Sequence, residues 1–195
     1  MINLKNEHFF AQGDNQKCYM HPDNSNLCIK VLRDDIDKKV HNREISYYKL
    51  LDKQDISWKH IARLYSVVDT NLGRGTVFEF VRDFDNEVSK TLDYYFMKND
   101  ELSLELAKNV EELKKYLYDE AIVFRDLITK NIVVKFETKN TYKLVIVDGL
   151  GHNDFFPFIK YSKKLARGKI TRQWNRKRSK WFDEYENIKG IITDI

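Results

Sequence analysis

Apolar residues recur along this chain with two periods. Near the N-terminus the apolar runs are short and broken by polar turns. His8–Ala11, Cys18–His21 and Leu27–Leu32 read as strands, with turns at Gly13–Lys17 and Pro22–Asn26. From Asp37 to Leu51 the period lengthens. Val40, Glu44, Tyr48 and Leu51 fall on one helical face, which therefore points inward and carries a carboxylate. A buried carboxylate needs a cationic partner. Leu64–Val68 and Thr76–Val81 are two further strands, joined by the glycine-bearing stretch Asn71–Gly75. The polar residues Arg82–Glu87 form a connector. Thr91–Lys98 and Leu102–Tyr118 are helical, the second with the stripe Leu102, Leu106, Val110, Leu113 and Leu117. Two strands, Ile132–Phe136 and Tyr142–Val147, flank a turn at Thr138–Asn140, and the tail after Phe155 reads as two helices.

This order predicts an α+β protein. A five-stranded antiparallel sheet with one helix occupies about residues 1–81, a connector 82–90, and a reduced, mostly helical part 91–195. At 195 residues, 42% hydrophobic and 33% charged, the chain is long and apolar enough for a substantial core and is not of disordered composition. No apolar run approaches the roughly 20 residues that span a bilayer. Met1–Lys5 lacks the apolar stretch of a signal peptide. The expected location is the cytoplasm, where Cys18 and Cys28 are expected to be thiols.

The net charge of +4 conceals a polarity. Ten basic residues and no acidic one lie between Lys160 and Lys180, so the remainder of the chain carries −6 (+4 less 10). Tyr161, Trp174 and Trp181 interleave with these charges. Such a patch suits an anionic small molecule, an anionic membrane surface contacted peripherally, or nucleic acid, although no nucleic-acid motif accompanies it. It equally suits a solvated helix face with aromatic anchors in the core.

The candidate chemistry centres on Phe124-Arg125-Asp126-Leu127-Ile128-Thr129-Lys130-Asn131. Asp126 and Asn131 precede one apolar run, and a second run ends in Asp148-Gly149. Each residue alone is an ordinary turn residue. Together they give loop, strand, turn, strand, carboxylate. That order suits an Asp near a substrate hydroxyl, with an Asn and a second Asp around a metal-bound phosphate. Upstream, Lys30 interrupts an apolar strand, and Glu44 lies on the inward face of the next helix. Lys30 either faces solvent or reaches phosphates while pairing with Glu44. Arg125 either holds a phosphorylated loop or braces the site. None of the five histidines, at 8, 21, 41, 60 and 152, has metal-ligand spacing, and there is no Walker-type loop or Gly-x-Ser-x-Gly elbow.

The eight-residue loop resembles the catalytic loop of the protein-kinase-like superfamily, with Phe124 where that superfamily usually has His. The chain as a whole resembles the bacterial YrbL family, named for the PhoP regulatory network. Lys17-Cys18-Tyr19, His21-Pro22, Cys28-Ile29-Lys30, Arg43-Glu44 with Tyr47-Tyr48, Phe84-Asp85 and Lys130-Asn131-Ile132 carry the likeness. The resemblance implies a bilobal protein-kinase-like fold using ATP and Mg2+. Asp126, Lys30 and Glu44 would be catalytic, and Asn131 and Asp148 would hold the metal. Gly13, Lys17, Lys30 and Glu79 would bind the nucleotide. Two departures qualify it: the phosphate-covering loop has a single glycine, and the metal motif reads Asp-Gly-Leu. The chain after Asp148 is too short for a segment that docks protein substrates, which favours a small or saccharide hydroxyl as acceptor, such as a cell-envelope precursor. A kinase-like pseudoenzyme, acting as a regulatory or binding module through its basic patch, is the alternative.

Overall fold

The structure, a computed structural model, describes residues 1–151 and 162–185. The chain divides into two compact units, Met1–Trp58 with Ala62–Arg82, and Lys59–Ile61 with Asp83–Ile195. The architecture is mixed α and β, with a five-stranded sheet, a two-stranded ribbon and four α-helices among the described residues.

The first unit is built on strands β1 (Phe9–Gln12), β2 (Gln16–His21), β3 (Asn24–Leu32), β4 (Leu64–Thr70) and β5 (Gly73–Glu79). They lie in the order β1-β2-β3-β5-β4, every neighbour antiparallel. Alternation along β3 separates two faces. Ile29 and Val31 pack with Leu4, Tyr19 and Val77 in one cluster. Cys28 and Lys30 point the other way, toward Phe78, against which Tyr48 of helix α1 (Lys38–Lys53) packs edge-to-face at 5.1 Å. Asp37 caps α1 by accepting from the Lys39 N–H. Tyr48 and Leu51 are buried as the periodicity requires; the Val40 side chain lies outside the described set.

Two turns are shorter than the sequence suggests. His21 pairs with Asn24, so only Pro22 and Asp23 bridge β2 and β3, next to a bulge between Met20 and His21. Thr70 pairs with Gly73, so β5 begins three residues before Thr76. Gly73 supplies the positive φ of that turn at 106°. Gly75 is a strand residue. A Cβ on it would lie 2.7 Å from the Ile29 side chain, so its absence lets β3 and β5 pack.

The second unit holds α2 (Leu92–Lys98), α3 (Glu101–Asp119), the ribbon β6 (Ile132–Phe136) and β7 (Tyr142–Ile146), and α4 (Lys163–Glu184). Asp100 and Ser103 cap α3 reciprocally, and the Ser103 hydroxyl also donates to the Tyr95 carbonyl at 2.5 Å. Leu106, Val110, Leu113 and Leu117 are fully buried, each contributing roughly 1.5–3 kcal/mol relative to exposure. The connector is anchored within this unit. The Asp83 carboxylate accepts from Ser89 and from the Phe136 N–H, and Phe84 N–H donates to Phe136. Of the two helices expected in the tail, α4 is observed; residues 152–161, with His152, Lys160 and Tyr161, lie outside the described set. No described helix is long and apolar enough to cross a membrane.

Candidate functional site

In the second unit the loop Phe124–Asn131 is fastened to the chain that leaves β7. Phe124 bridges Leu150 in antiparallel fashion, and Gly151 N–H donates to the Val123 carbonyl at 3.1 Å. The Gly149 carbonyl accepts from both Arg125 N–H (2.8 Å) and Asp126 N–H (3.1 Å). At the loop's far end, Val147 N–H donates to the Asn131 carbonyl at 2.9 Å, and the Asn131 side-chain amide donates to the Asp126 carbonyl at 3.0 Å. Asp148 Oδ1 accepts from the Gly149 N–H at 2.6 Å. Asp126, Asn131 and Asp148 are thereby gathered around one glycine. Gly149 has φ +84°, and a Cβ there would stand 1.9 Å from the Asp126 carbonyl oxygen. No residue with a side chain fits that approach. Phe124 is fully buried, so its ring belongs to the core behind the loop.

Helix α4 closes over the same loop. The Lys177 ammonium lies 2.5 Å from Asp126 Oδ1. Tyr185, just past the helix, places its hydroxyl 3.1 Å from that of Thr129 and donates to Asp93. Trp174 and Trp181 are 1% and 2% exposed and pack edge-to-face, so these two aromatic residues of the basic segment are core anchors. Arg178 pairs with Glu111 at 3.3 Å, and Arg167 donates to the carbonyls of Tyr118 and Asp119 at the end of α3. Lys177 was not singled out by sequence. The available signal was its spacing, three residues after Trp174 and four before Trp181, which puts it on their face of the helix.

In the first unit, Lys30 is 6% exposed, with its ammonium 4.5 Å from the centroid of the Phe78 ring. It is therefore not a solvent-facing lysine. Gln16, also buried, donates to Glu44 Oε2 at 3.0 Å and lies 3.5 Å from His41 Nδ1. Burial, with the charges of Arg74 and Lys30 adding to it, holds His41 below its ordinary value. Lys30, Gln16, His41 and Glu44 thus form one polar group on the sheet face that α1 covers. Gly13 N–H closes its own turn on the Gln16 carbonyl at 2.9 Å, and Lys17 beside it is exposed. Glu79 ends β5, and its carbonyl accepts from the Cys28 thiol at 3.8 Å. Neither cysteine is in a disulfide, so both are thiols, as expected.

Among the described residues no three His, Cys, Asp or Glu side chains cluster as a metal cage. Asn131 and Asp148 offer two hard oxygens instead. The Asn131 amide nitrogen is engaged with the Asp126 carbonyl, so the atom available to a cation is its carbonyl oxygen. That donor set fits Mg2+, which takes one or two protein oxygens and completes its shell with phosphate and water.

A family model described as PhoP regulatory network protein YrbL matches residues 2–181. Over 180 residues the chain is 31% identical to the Uncharacterized protein YrbL of Escherichia coli (strain K12), covering 90% of this chain and 86% of that one. The protein of the same name from Shigella flexneri matches to the same extent. The matched span contains every residue of the loop, Asp148, Gly149 and Lys177. The chain belongs to the YrbL family.

Proposed function

We propose that this protein is a magnesium-dependent, ATP-using phosphotransferase of protein-kinase-like fold, acting on the hydroxyl of a small or saccharide acceptor. The observation that carries the reading is the knot at Gly149. It holds Asp126, Asn131 and Asp148 together through main-chain bonds that no ordinary turn requires. Asn131 and Asp148 would hold Mg2+, which neutralises phosphate charge when bound. Lys30, oriented by Glu44, would bind the α- and β-phosphates, with Lys17, Gly13 and Glu79 contributing to nucleotide binding. The burial of Lys30 beside the Gln16, His41 and Glu44 group supports this.

In the reaction the acceptor oxygen bonds to the γ-phosphorus as that atom's bond to the β,γ-bridging oxygen breaks. The bridging oxygen leaves with the electron pair on ADP, and the acceptor proton passes to the Asp126 carboxylate. Catalysis is chiefly positioning and charge neutralisation. The test is ADP release from Mg–ATP in the presence of candidate sugar acceptors. Asp126→Ala is expected to abolish turnover and to keep nucleotide binding; a variant as active as the parent overturns the assignment.

A second reading, a nucleotide-binding regulatory module without turnover, is favoured by the Gly13 turn. Its N–H is engaged internally, which leaves less backbone for a phosphate than a glycine-rich loop provides. Nucleotide binding with no ADP release under any acceptor is the outcome that would select it.

A further inference from the structure

Nine basic side chains lie on α4 between Lys163 and Lys180, and their contacts separate them. Arg167 and Arg178 fasten the helix to α3 through the carbonyls of Tyr118 and Asp119 and through Glu111. Lys177 does something else. Its side chain is 17% exposed, yet its ammonium is delivered to the Asp126 carboxylate, whose own side chain is 49% exposed. The delivery is rigid. Trp174 and Trp181 bracket Lys177 and sit in the core, and Ala166 and Ile170 extend the same buried stripe. Beyond the helix, the Tyr185 hydroxyl holds Thr129, so the loop is gripped at two points, Asp126 and Thr129.

Stability alone is a poor account of this contact. An ion pair with one half-exposed partner is worth about 0–1 kcal/mol, and confining a lysine side chain opposes it with a rotamer entropy of similar size. What the contact does accomplish is to restrict the Asp126 carboxylate to one orientation, from an element distant in sequence. One N–H of the ammonium satisfies Oδ1, which leaves the second carboxylate oxygen to meet an acceptor hydroxyl.

We propose that Lys177 is the positioning residue for Asp126, setting the carboxylate orientation that receives the acceptor proton, and that this is why the basic helix α4 is docked on the loop. The inference rests on the phosphotransferase reading above. It differs from a blocking role, in which Lys177 would occupy Asp126 and have to leave before catalysis. The two predict opposite signs when the ammonium is removed.

The experiment compares the full chain with its Lys177→Met, Lys177→Arg and Lys115→Met variants, the last removing an exposed charge of α3. Binding of Mg–ATP is measured by calorimetry, and ADP release at saturating Mg–ATP is measured with water as the acceptor. Near-ultraviolet circular dichroism of Trp174 and Trp181 reports whether α4 stays docked. Lys177→Met is expected to bind Mg–ATP within about twofold of the parent while turnover falls on the order of 100-fold, the split expected of a group acting only on the chemical step. Lys177→Arg, which keeps a cation within reach, recovers part of the loss, so a collapse of the Met variant's fold does not remove the test. Lys115→Met is unchanged. Turnover in Lys177→Met equal to or above that of Lys115→Met overturns the proposal, and a rise identifies a blocking contact. A parent chain that neither binds Mg–ATP nor releases ADP overturns the phosphotransferase reading, and this inference with it. A parent that turns over while Lys177→Met keeps pace overturns the inference alone.

Discussion

Replacing Gly149 by alanine perturbs the site at its tightest point. The new Cβ would lie 1.9 Å from the Asp126 carbonyl oxygen, against the 3.0 Å below which real Cβ contacts essentially never occur. The two segments must therefore part by about 1.1 Å (3.0 less 1.9). Two hydrogen bonds cross that gap, from Arg125 N–H and Asp126 N–H to the Gly149 carbonyl, and the Asn131 amide that donates to the Asp126 carbonyl would itself stand 3.0 Å from the new Cβ. Alanine at φ +84° also costs about 1–2 kcal/mol of backbone strain. If both bonds are lost at roughly 0.5–1.5 kcal/mol each, the total is about 2–5 kcal/mol. Gly151→Ala is the matched control. It has φ +119° and nothing within 4 Å of the built Cβ, so it should lose only the strain. Urea unfolding of both variants measures the difference, which amounts to a midpoint gap of about 1 M at an m-value of roughly 1–3 kcal/mol/M. Gly149→Ala no less stable than Gly151→Ala would refute the claim that backbone closeness at Gly149 holds the site together.

Other consequences follow from burial. Trp174→Ala removes a side chain that is 1% exposed and should cost about 3–5 kcal/mol, read by urea unfolding; a loss under about 1 kcal/mol would show that α4 is not seated on α3 as described. Burial pushes the Cys28 thiol up to about 12, so a thiol reagent at neutral pH should label the half-buried Cys18 first, as peptide mass mapping will show. Equal labelling would contradict the packing of β3. Burial also holds His60 below its ordinary 6.5, while its Nδ1 contacts the Leu144 carbonyl at 2.7 Å. Below 6.5 the unfolded chain takes up a proton that the folded chain resists. The stability due to neutral His60 is thus full above 6.5 and is lost as pH falls toward the lower folded value. Urea midpoints should drop between about pH 7.5 and pH 5.5 in the parent, and less in His60→Gln; an equal drop in both would remove His60 as the cause.

Much of the sheet was legible because local patterns suffice for strands. A short apolar run bounded by polar turns marked β3, and the α1 stripe placed Glu44 on the inner face. Gly75 was misread as a turn residue because its role depends on Ile29 of a neighbouring strand, a contact that no local pattern records. The early start of β3 was hidden by the polar Asn24-Ser25-Asn26, where Asn24 pairs with His21 through the backbone whatever its side chain. In the site, Asp126, Asn131 and Asp148 were legible as an ordered set, because chain order and spacing are preserved in sequence. Their support was not. The hydrogen bond from Arg125 N–H to the Gly149 carbonyl and the arrival of Lys177 are tertiary contacts across 24 and 51 positions (149 less 125; 177 less 126). Lys177 looked like any of ten basic residues until its helix was docked.

The most direct test of the account is calorimetric titration of Mg–ATP, and of ATP without Mg2+, into the parent chain, Lys30→Met and Asp148→Asn. The account predicts binding that depends on Mg2+ in the parent and is weakened at least about tenfold by each substitution. Binding that ignores Mg2+, or that survives both substitutions undiminished, would contradict the proposed reading of this chain as a Mg–ATP-using phosphotransferase.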